Sequence, residues 1–406
     1  MKISIIVPVY KAEKHLAATL DSLIGQTHKD LEIICVNDGS PDGCARILDD
    51  YAARDTRIEV INQTNQGVSI ARNAGMAAAT GDILMFVDAD DTLRPFACER
   101  VAEIFAQKNP DVLTFGLECD PPEAAPASLR RELAPTDKIY DGFESALLFE
   151  EYARPYACRT ALSATFARRE NIRFEPGLGL AEDQVFYFAA YPFARRTVLS
   201  SEKLYVYRMN DESATHAAFD GQTALRKKLD AHLTAIEAIC RIWDERDMRE
   251  FCAPELLEWC LDFTMLDIGK LPVTEQRAFY ARLLACLDGH FERPCEHFAT
   301  KRITKACLAD IRAGLEEFAQ AKEGGLRKTS DLHSTASEDN SPSGTERRID
   351  TGTKNDAPGT AGATDGPNTP SDDPIVKPFH KAHYYLMRRG FARCAERVLM
   401  KLGIVK

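Results

Sequence analysis

The chain has 406 residues, enough for two or three domains and a substantial buried core. Its formal net charge of −11 argues against a general nucleic-acid binder. Its twelve cysteines are scattered without a Cys-x-x-Cys pair, the usage of packing thiols in a reducing compartment, and Cys252 and Cys260 read as packing.

The chain opens Met-Lys into a strand, so no signal peptide is expected. No run of about 18 apolar residues occurs, so no membrane-spanning helix is expected. Four apolar runs alternate with helical patterns over the first hundred residues. Ile3 to Val7 precedes a helix from about Lys14 to Gly25, and Leu31 to Val36 precedes one from about Gly43 to Arg54. Ile58 to Ile61 precedes a helix from about Ser69 to Ala79, and Ile83 to Val87 one from about Pro95 to Gln107. The runs are apolar nearly throughout, as in parallel strands covered on both faces. This alternation predicts an α/β fold with a doubly wound, mostly parallel sheet. Ligands of such a sheet bind beyond the carboxyl ends of its strands.

A fifth apolar run spans Val112 to Phe115, and Pro121 to Pro135 reads as a surface excursion. Tyr140 to Met209 is mixed, with aromatic strands such as Leu204 to Tyr207. From about Gln222 to Ala321 helical periodicity dominates, as in Leu225, Leu229, Leu233, Ile236, Ile239 and Trp243. Lys328 to Asp373 has no aromatic residue and only Leu332 and Ile349 as large aliphatics, so it reads as a disordered linker. Lys377 to Lys406 carries eight Lys/Arg against the single acid Glu396. Tyr384, Met387, Phe391, Ala395, Val398 and Leu402 form one helical stripe there, with Arg389, Arg393, Arg397 and Lys401 opposite. A basic amphipathic helix reads as a membrane-surface anchor; the alternative is docking on the enzyme or on a partner protein. The predicted organisation is residues 1–216, a helical region 217–322, a linker 323–376 and a basic amphipathic helix 377–406.

The most informative stretch is Val87-Asp88-Ala89-Asp90-Asp91, three carboxylates ending an apolar strand. Carboxylates this close repel unless a positive charge sits among them. Hard oxygen ligands suit Mg²⁺ or Mn²⁺, which in turn hold phosphates. The alternative is an acidic turn and helix N-cap.

The flanking motifs decide between them. Ser4-Ile5-Ile6-Val7-Pro8-Val9-Tyr10, Val36-Asn37-Asp38-Gly39-Ser40, Asn65-Gln66-Gly67, Ala71-Arg72-Asn73-x-Gly75 and Thr80-Gly81-Asp82 lead into the acidic segment. In this order and spacing the chain resembles the family 2 glycosyltransferases, strongly over about residues 1–115 and continuously to about 216. The resemblance implies a GT-A fold and inverting transfer of one sugar from a nucleotide-sugar donor, UDP-linked, to a glycan or lipid-linked acceptor hydroxyl. It implies that Asp88 contacts the ribose or a metal-bound water and that Asp90 ligates the metal, Mn²⁺ or Mg²⁺, the two together forming the metal site. It implies that Asp183, in Gly177-Leu178-Gly179-Leu180-Ala181-Glu182-Asp183-x-x-Phe186, is the general base, with Glu182 orienting the acceptor or Asp183. Such a base needs a raised pKa, which partial burial supplies. The alternative is that Glu182 and Asp183 merely cap a helix.

The nucleotide side draws on Pro8, Val9, Tyr10, Asp38, Asn65, Arg72 and Asp88. Pro8 is expected to stop the first strand's ladder. Tyr10 offers a face to a base or forms a lid over apolar core. Asp38 accepts hydrogen bonds from uracil or ribose, or makes an Asx-turn cap for the next helix. Arg72 faces the nucleotide by resemblance, or clamps Asp38 or Asp88. Asn65 shapes the loop over the base, and Gly67 allows close backbone approach. Asp91 caps the following helix or supports Asp90. Arg208 and His216, in the segment that resembles the family's fold-back over the diphosphate, touch phosphate or metal, or lie on a surface connection. His232, His290 and His297 read as structural.

The chain lacks a Gln-x-x-Arg-Trp motif, so single or few-step transfer is expected. The setting implied is cell-surface glycan assembly by a cytoplasmic protein, peripheral at the inner membrane face. Two other classes remain. A sugar nucleotidylyltransferase would need a Gly-rich loop after strand one, whereas Tyr10-Lys11-Ala12-Glu13-Lys14 has no glycine. A non-catalytic scaffold on a glycosyltransferase fold would not need Asp38, Asp88, Asp90 and Asp183.

Overall fold

A computed structural model describes residues 1–124, 133, 135–151, 156–209, 221–302, 304–317 and 319. The expected linker 323–376, the basic segment 377–406 and His216 lie outside the described residues. Two compact units are present: Met1–Ile268 with Arg282–Ala299, and Gly269–Ala281 with the described residues from Thr300 onward.

The first unit begins with β1 (Ile3–Val9), α1 (Leu16–Ile24), β2 (Leu31–Asp38), α2 (Cys44–Ala52), β3 (Ile58–Gln63), α3 (Val68–Ala78) and β4 (Ile83–Phe86). It continues with β5 (Thr92–Leu93), α4 (Ala97–Lys108), β6 (Val112–Asp120), β7 (Lys138–Asp141), α5 (Ala146–Phe149), β8 (Thr160–Ser163), α6 (Ala164–Arg169), α7 (Glu182–Ala190) and β9 (Arg196–Arg208). The strands form one sheet in the order β3-β2-β1-β4-β8-β6-β9-β5, with β7 also on β9. The β3-β2-β1-β4 half is parallel. β8 is antiparallel to both β4 and β6, while β9 is parallel to β6, so six of the nine strands among the described residues share one direction. The expected mostly parallel, doubly wound sheet is what forms.

Alternate side chains of β1 explain the double winding. Ile3, Ile5 and Val7 join the core made with α1, α2 and α4. Ile6 points to the other face, against α3. A Cβ on Gly75 would lie 2.4 Å from Ile6 Cγ2, so glycine is what lets α3 seat on the sheet.

The strand β1 runs past its apolar run through Pro8 to Val9, paired with Val36 and Asn37 of β2. Its pairing with β4 ends at Ile6 and Phe86. The Ile6 carbonyl accepts from Val87 N–H at 3.0 Å, and Pro8, two residues on, faces that same side. Pro8 therefore ends the ladder toward β4 only, a correction to the expected end of the strand. The excursion after Pro121 is likewise not all surface. Leu133 is 3% exposed, and its carbonyl accepts from Leu117 N–H at 2.8 Å.

The first unit does not stop at residue 216. It includes α8 (Gly221–Asp244) and α9 (Ala253–Ile268), anchored on α7. Trp243 Nε1 donates to the Phe188 carbonyl at 2.9 Å, and the Phe188 ring lies 4.6 Å from that of Trp259. Beside α8 runs the Arg282–Phe291 part of α10 (Val273–Phe291). Arg282 pairs with Glu237, and buried His290 Nδ1 lies 2.7 Å from Asp244. His232 stacks on Phe263, as a structural histidine does. In the second unit Gln276 Nε2 donates to the Leu271 carbonyl at 2.7 Å. The described cysteines are all free, and no described helix is long and apolar enough to cross a membrane.

Candidate active site

The candidate site lies beyond the carboxyl ends of β1, β2 and β4, where a parallel sheet leaves loops free to present side chains. After Phe86 the chain makes the acidic segment 87–91 and then turns onto β9, Thr92 pairing with Val206 and Leu93 with Tyr205. The Asp88 N–H donates to the Tyr205 hydroxyl at 3.1 Å, and Thr19 Oγ1 donates to the Ala89 carbonyl at 2.9 Å. Asp91 is 1% exposed and accepts from the Tyr205 hydroxyl and from Arg208 N–H, each at 2.7 Å. Burial, reinforced by Asp88 and Asp90, pushes its carboxyl well above the usual range. Asp91 thus caps no helix, since α4 starts after Phe96; it braces the acidic segment against β9.

From α3, Arg72 reaches into the same place. Its guanidinium lies 2.8 Å from Asp88 Oδ1, 3.0 Å from Glu182 Oε1 and 3.4 Å from Asp183 Oδ1. The Arg72 side chain is 4% exposed and lies over the Phe174 ring. Burial alone would weaken its charge, but the three carboxylates outweigh that and hold it firmly protonated. Of the two clamp partners expected for Arg72, the structure selects Asp88 and adds Glu182 and Asp183.

Glu182 and Asp183 open α7 after Ala181, whose φ of 68° is left-handed. Phe186 then stacks on Phe174 at 4.3 Å and meets Phe86 edge-on at 5.7 Å. Asn73 closes the cluster: its side chain donates to the Phe174 carbonyl at 2.8 Å and accepts from Phe174 N–H at 2.9 Å. The Arg72-Asn73-x-Gly75 run therefore does three jobs on successive faces of α3. Asn73 carries no role in the sequence reading, and its place inside that motif was the signal for one. Burial first, and then Glu182 and Asp88, push the Asp183 carboxyl well above its ordinary range, although Arg72 pulls it back. The Asp183 side chain keeps a fifth of its surface exposed, so a substrate can reach it.

The nucleotide-side residues are placed separately. Asp38 is 3% exposed and accepts from Gln63 Nε2 at 2.7 Å, Gln66 N–H at 2.9 Å and Gly67 N–H at 2.8 Å. It ties down the loop between β3 and α3; the Asx turn expected of it before α2 is made instead by Asp42, which accepts from Cys44 N–H. Two carboxylate oxygens offer about four acceptor positions, so one remains for a ligand. Gly67 has φ +91° with open space around it, and Asn65 is exposed. Tyr10 is 44% exposed, so it is no lid over apolar core. Asp90 is half-buried between the fixed points of the acidic segment. The Arg208 guanidinium makes no hydrogen bond or ion pair among the described residues.

The model of glycosyl transferase family 2 matches residues 4–154. The putative glycosyltransferase EpsH of Bacillus subtilis is 30% identical over 266 residues, 59% of this chain and 76% of EpsH. The chain belongs to glycosyl transferase family 2. The uncharacterised glycosyltransferase EpsJ of B. subtilis is 34% identical over 57% of this chain and 66% of EpsJ. The chain spans just under two thirds of EpsJ and 31% of the glycosyltransferase GlyA of Streptococcus pneumoniae. A solved structure of Staphylococcus aureus TarS with UDP-GlcNAc shares the fold, with a TM-score of 0.63 and 21% identity over 81% of this chain and 92% of that one. The fold of this family member is accordingly GT-A with a helical C-terminal region.

Proposed function

We propose that this glycosyltransferase moves a single sugar from a UDP-linked donor to a hydroxyl of a glycan or lipid-linked acceptor, inverting the anomeric carbon. The observation that carries the reading is the meeting of Asp88 with Glu182 and Asp183 on the Arg72 guanidinium. A donor-side carboxylate and a candidate base, more than ninety residues apart in sequence, are thereby held on one guanidinium. Relatives support the substrate class. TarS of S. aureus is named a poly(ribitol-phosphate) beta-N-acetylglucosaminyltransferase and is 28% identical over 52% of this chain. The Bacillus spizizenii relative, 32% identical over 51% of this chain, is a poly(ribitol-phosphate) beta-glucosyltransferase. TarS has been solved with UDP-GlcNAc and with UDP.

In this reading Asp183 takes the acceptor's proton as its oxygen attacks the anomeric carbon. The leaving nucleoside diphosphate departs from the opposite face. Glu182 orients the acceptor or Asp183. Pro8, Val9, Tyr10, Asp38, Asn65 and Arg72 frame the nucleotide, Arg72 by fixing Asp88. The donor set suits a hard divalent cation: Asp91 is spent on β9, Asp88 meets Arg72 through Oδ1 only, and Asp90 stands beside it. Asp88 and Asp90 would hold Mn²⁺ or Mg²⁺, which when bound offsets charge on the departing diphosphate. Arg208 and His216 are the candidates for the phosphate side. The basic stripe of 377–406 is proposed as an anchor on anionic membrane at the cytoplasmic face.

The test is nucleoside diphosphate release from a panel of sugar nucleotides, with and without Mn²⁺. Metal-dependent UDP release from at least one is expected. No release from any of them refutes the reading. Removing residues 377–406 should abolish retention on anionic vesicles and leave transfer to a soluble acceptor intact; unchanged retention refutes the anchor.

A further inference from the structure

Resting on the metal and donor reading above, we infer that Tyr205 is a positioning residue that sets where Asp88 and Asp90 present their carboxylates. Tyr205 lies on β9, 117 residues from Asp88, and is fully buried. Its hydroxyl accepts from Asp88 N–H at 3.1 Å and donates to Asp91 Oδ2 at 2.7 Å. With Asp91 as acceptor, the phenol's one proton points to Asp91 and an oxygen lone pair to the Asp88 N–H. The same strand supplies Arg208 N–H to the other Asp91 oxygen at 2.7 Å. The pairing of Leu93 with Tyr205 keeps strand and acidic segment in register.

The acidic segment is thus held at its first aspartate by its amide and at its last by its carboxylate, both through one hydroxyl. Between them, Thr19 holds the Ala89 carbonyl. The side chains of Asp88 and Asp90 project from a backbone fixed on both sides. Without the hydroxyl, a part-buried N–H and a buried carboxylate oxygen lose their partner together. The segment must then move to find water, and ligand geometry tolerates such movement poorly.

The test is Tyr205→Phe in the full chain, with Mn²⁺ and UDP as probes in titration calorimetry. The dissociation constant for Mn²⁺ in the presence of UDP should rise about tenfold, while that for UDP alone stays within about twofold. In turnover assays the donor KM should rise with an unchanged pH profile. Tyr191→Phe removes a different buried hydroxyl, 2.7 Å from Thr114 Oγ1, and should change neither constant. If Tyr205→Phe does not fold, Asp91→Asn carries the test. It keeps the side chain's size but replaces an acceptor facing the tyrosine, and the same tenfold weakening is expected. Mn²⁺ binding within twofold of wild type, or equal weakening in Tyr191→Phe, overturns the role of Tyr205. Wild-type protein that binds no Mn²⁺ with UDP overturns the metal reading itself, before any variant is compared.

Discussion

Replacing Arg72 by methionine keeps an unbranched apolar stem of similar reach and removes the cation that Asp88, Glu182 and Asp183 share. The three N–O separations are 2.8, 3.0 and 3.4 Å. At an effective dielectric of about 20, each attraction is about 5 kcal/mol before desolvation and before repulsion among the carboxylates. Those opposing terms cancel most of it, and removal of one partner from a buried ion pair typically costs about 3–5 kcal/mol. In a body of this size that corresponds to a fall in Tm on the order of 10 °C. The pH dependence gives the sharper test. The folded pKa of Asp183 lies above its unfolded value, so its favourable contribution is full below that unfolded value and is lost as pH rises through the folded one. Without Arg72 the folded value climbs further, because the guanidinium was what pulled it back. The stability deficit of Arg72→Met should therefore be largest at pH 8 and shrink by about a third at pH 5, where the Asp183 share of three similar attractions is gone. Thermal unfolding followed by circular dichroism across that range measures it. Equal deficits at both ends, or a fall of under about 2 °C at pH 8, would refute a shared charge. Arg72→Lys should fall between the two, since an ammonium keeps the charge but not the fork that reaches several carboxylates.

Asp183→Asn should lower turnover by about 10²- to 10⁴-fold while Mn²⁺-dependent UDP binding stays within twofold; an equal loss of binding removes it from the role of base. Wild-type turnover at saturating donor should rise with pH above the ordinary carboxylate range and then level, as Asp183 must ionise to accept a proton; a flat profile from pH 4 to 9 contradicts this. Gly39→Ala should cost about 1–3 kcal/mol in urea unfolding, because φ is +65° and the new Cβ would lie 2.8 Å from Asn65 N. Trp243→Phe strands the Phe188 carbonyl, and a loss of about 1–3 kcal/mol is expected, with reduced turnover because Phe188 belongs to the helix that carries Asp183.

Much of the fold was legible locally. The buried strands β1, β2 and β4 read as apolar runs, because a parallel strand covered on both faces has no solvent side to mark with polar residues. Strand ends were harder. Val9 and Asp38 are in strands though they lie outside the apolar runs, since main-chain pairing continues past the last hydrophobic residue. Leu133, placed by composition in a surface excursion, is buried because one leucine pairing back to β6 outweighs its polar neighbours. The boundary set at residue 216 followed the change from mixed to helical pattern; Trp243, beyond it, bonds to Phe188, before it, within one compact unit.

The local pattern by itself determined where the acidic segment and the Glu182-Asp183 pair sit along the chain, at the ends of a strand and at the head of a helix. Only the tertiary structure decided that Arg72 turns from Asp38 to Asp88, Glu182 and Asp183, and that Asp91 answers to β9 rather than to the next helix. Asp88 is 16 residues from Arg72, but Glu182 and Asp183 are 110 and 111 away, and Tyr205 is 114 from Asp91. Spacing along a strand or helix says which way a side chain points relative to its neighbours, whereas which distant group it meets depends on how the sheet orders its strands.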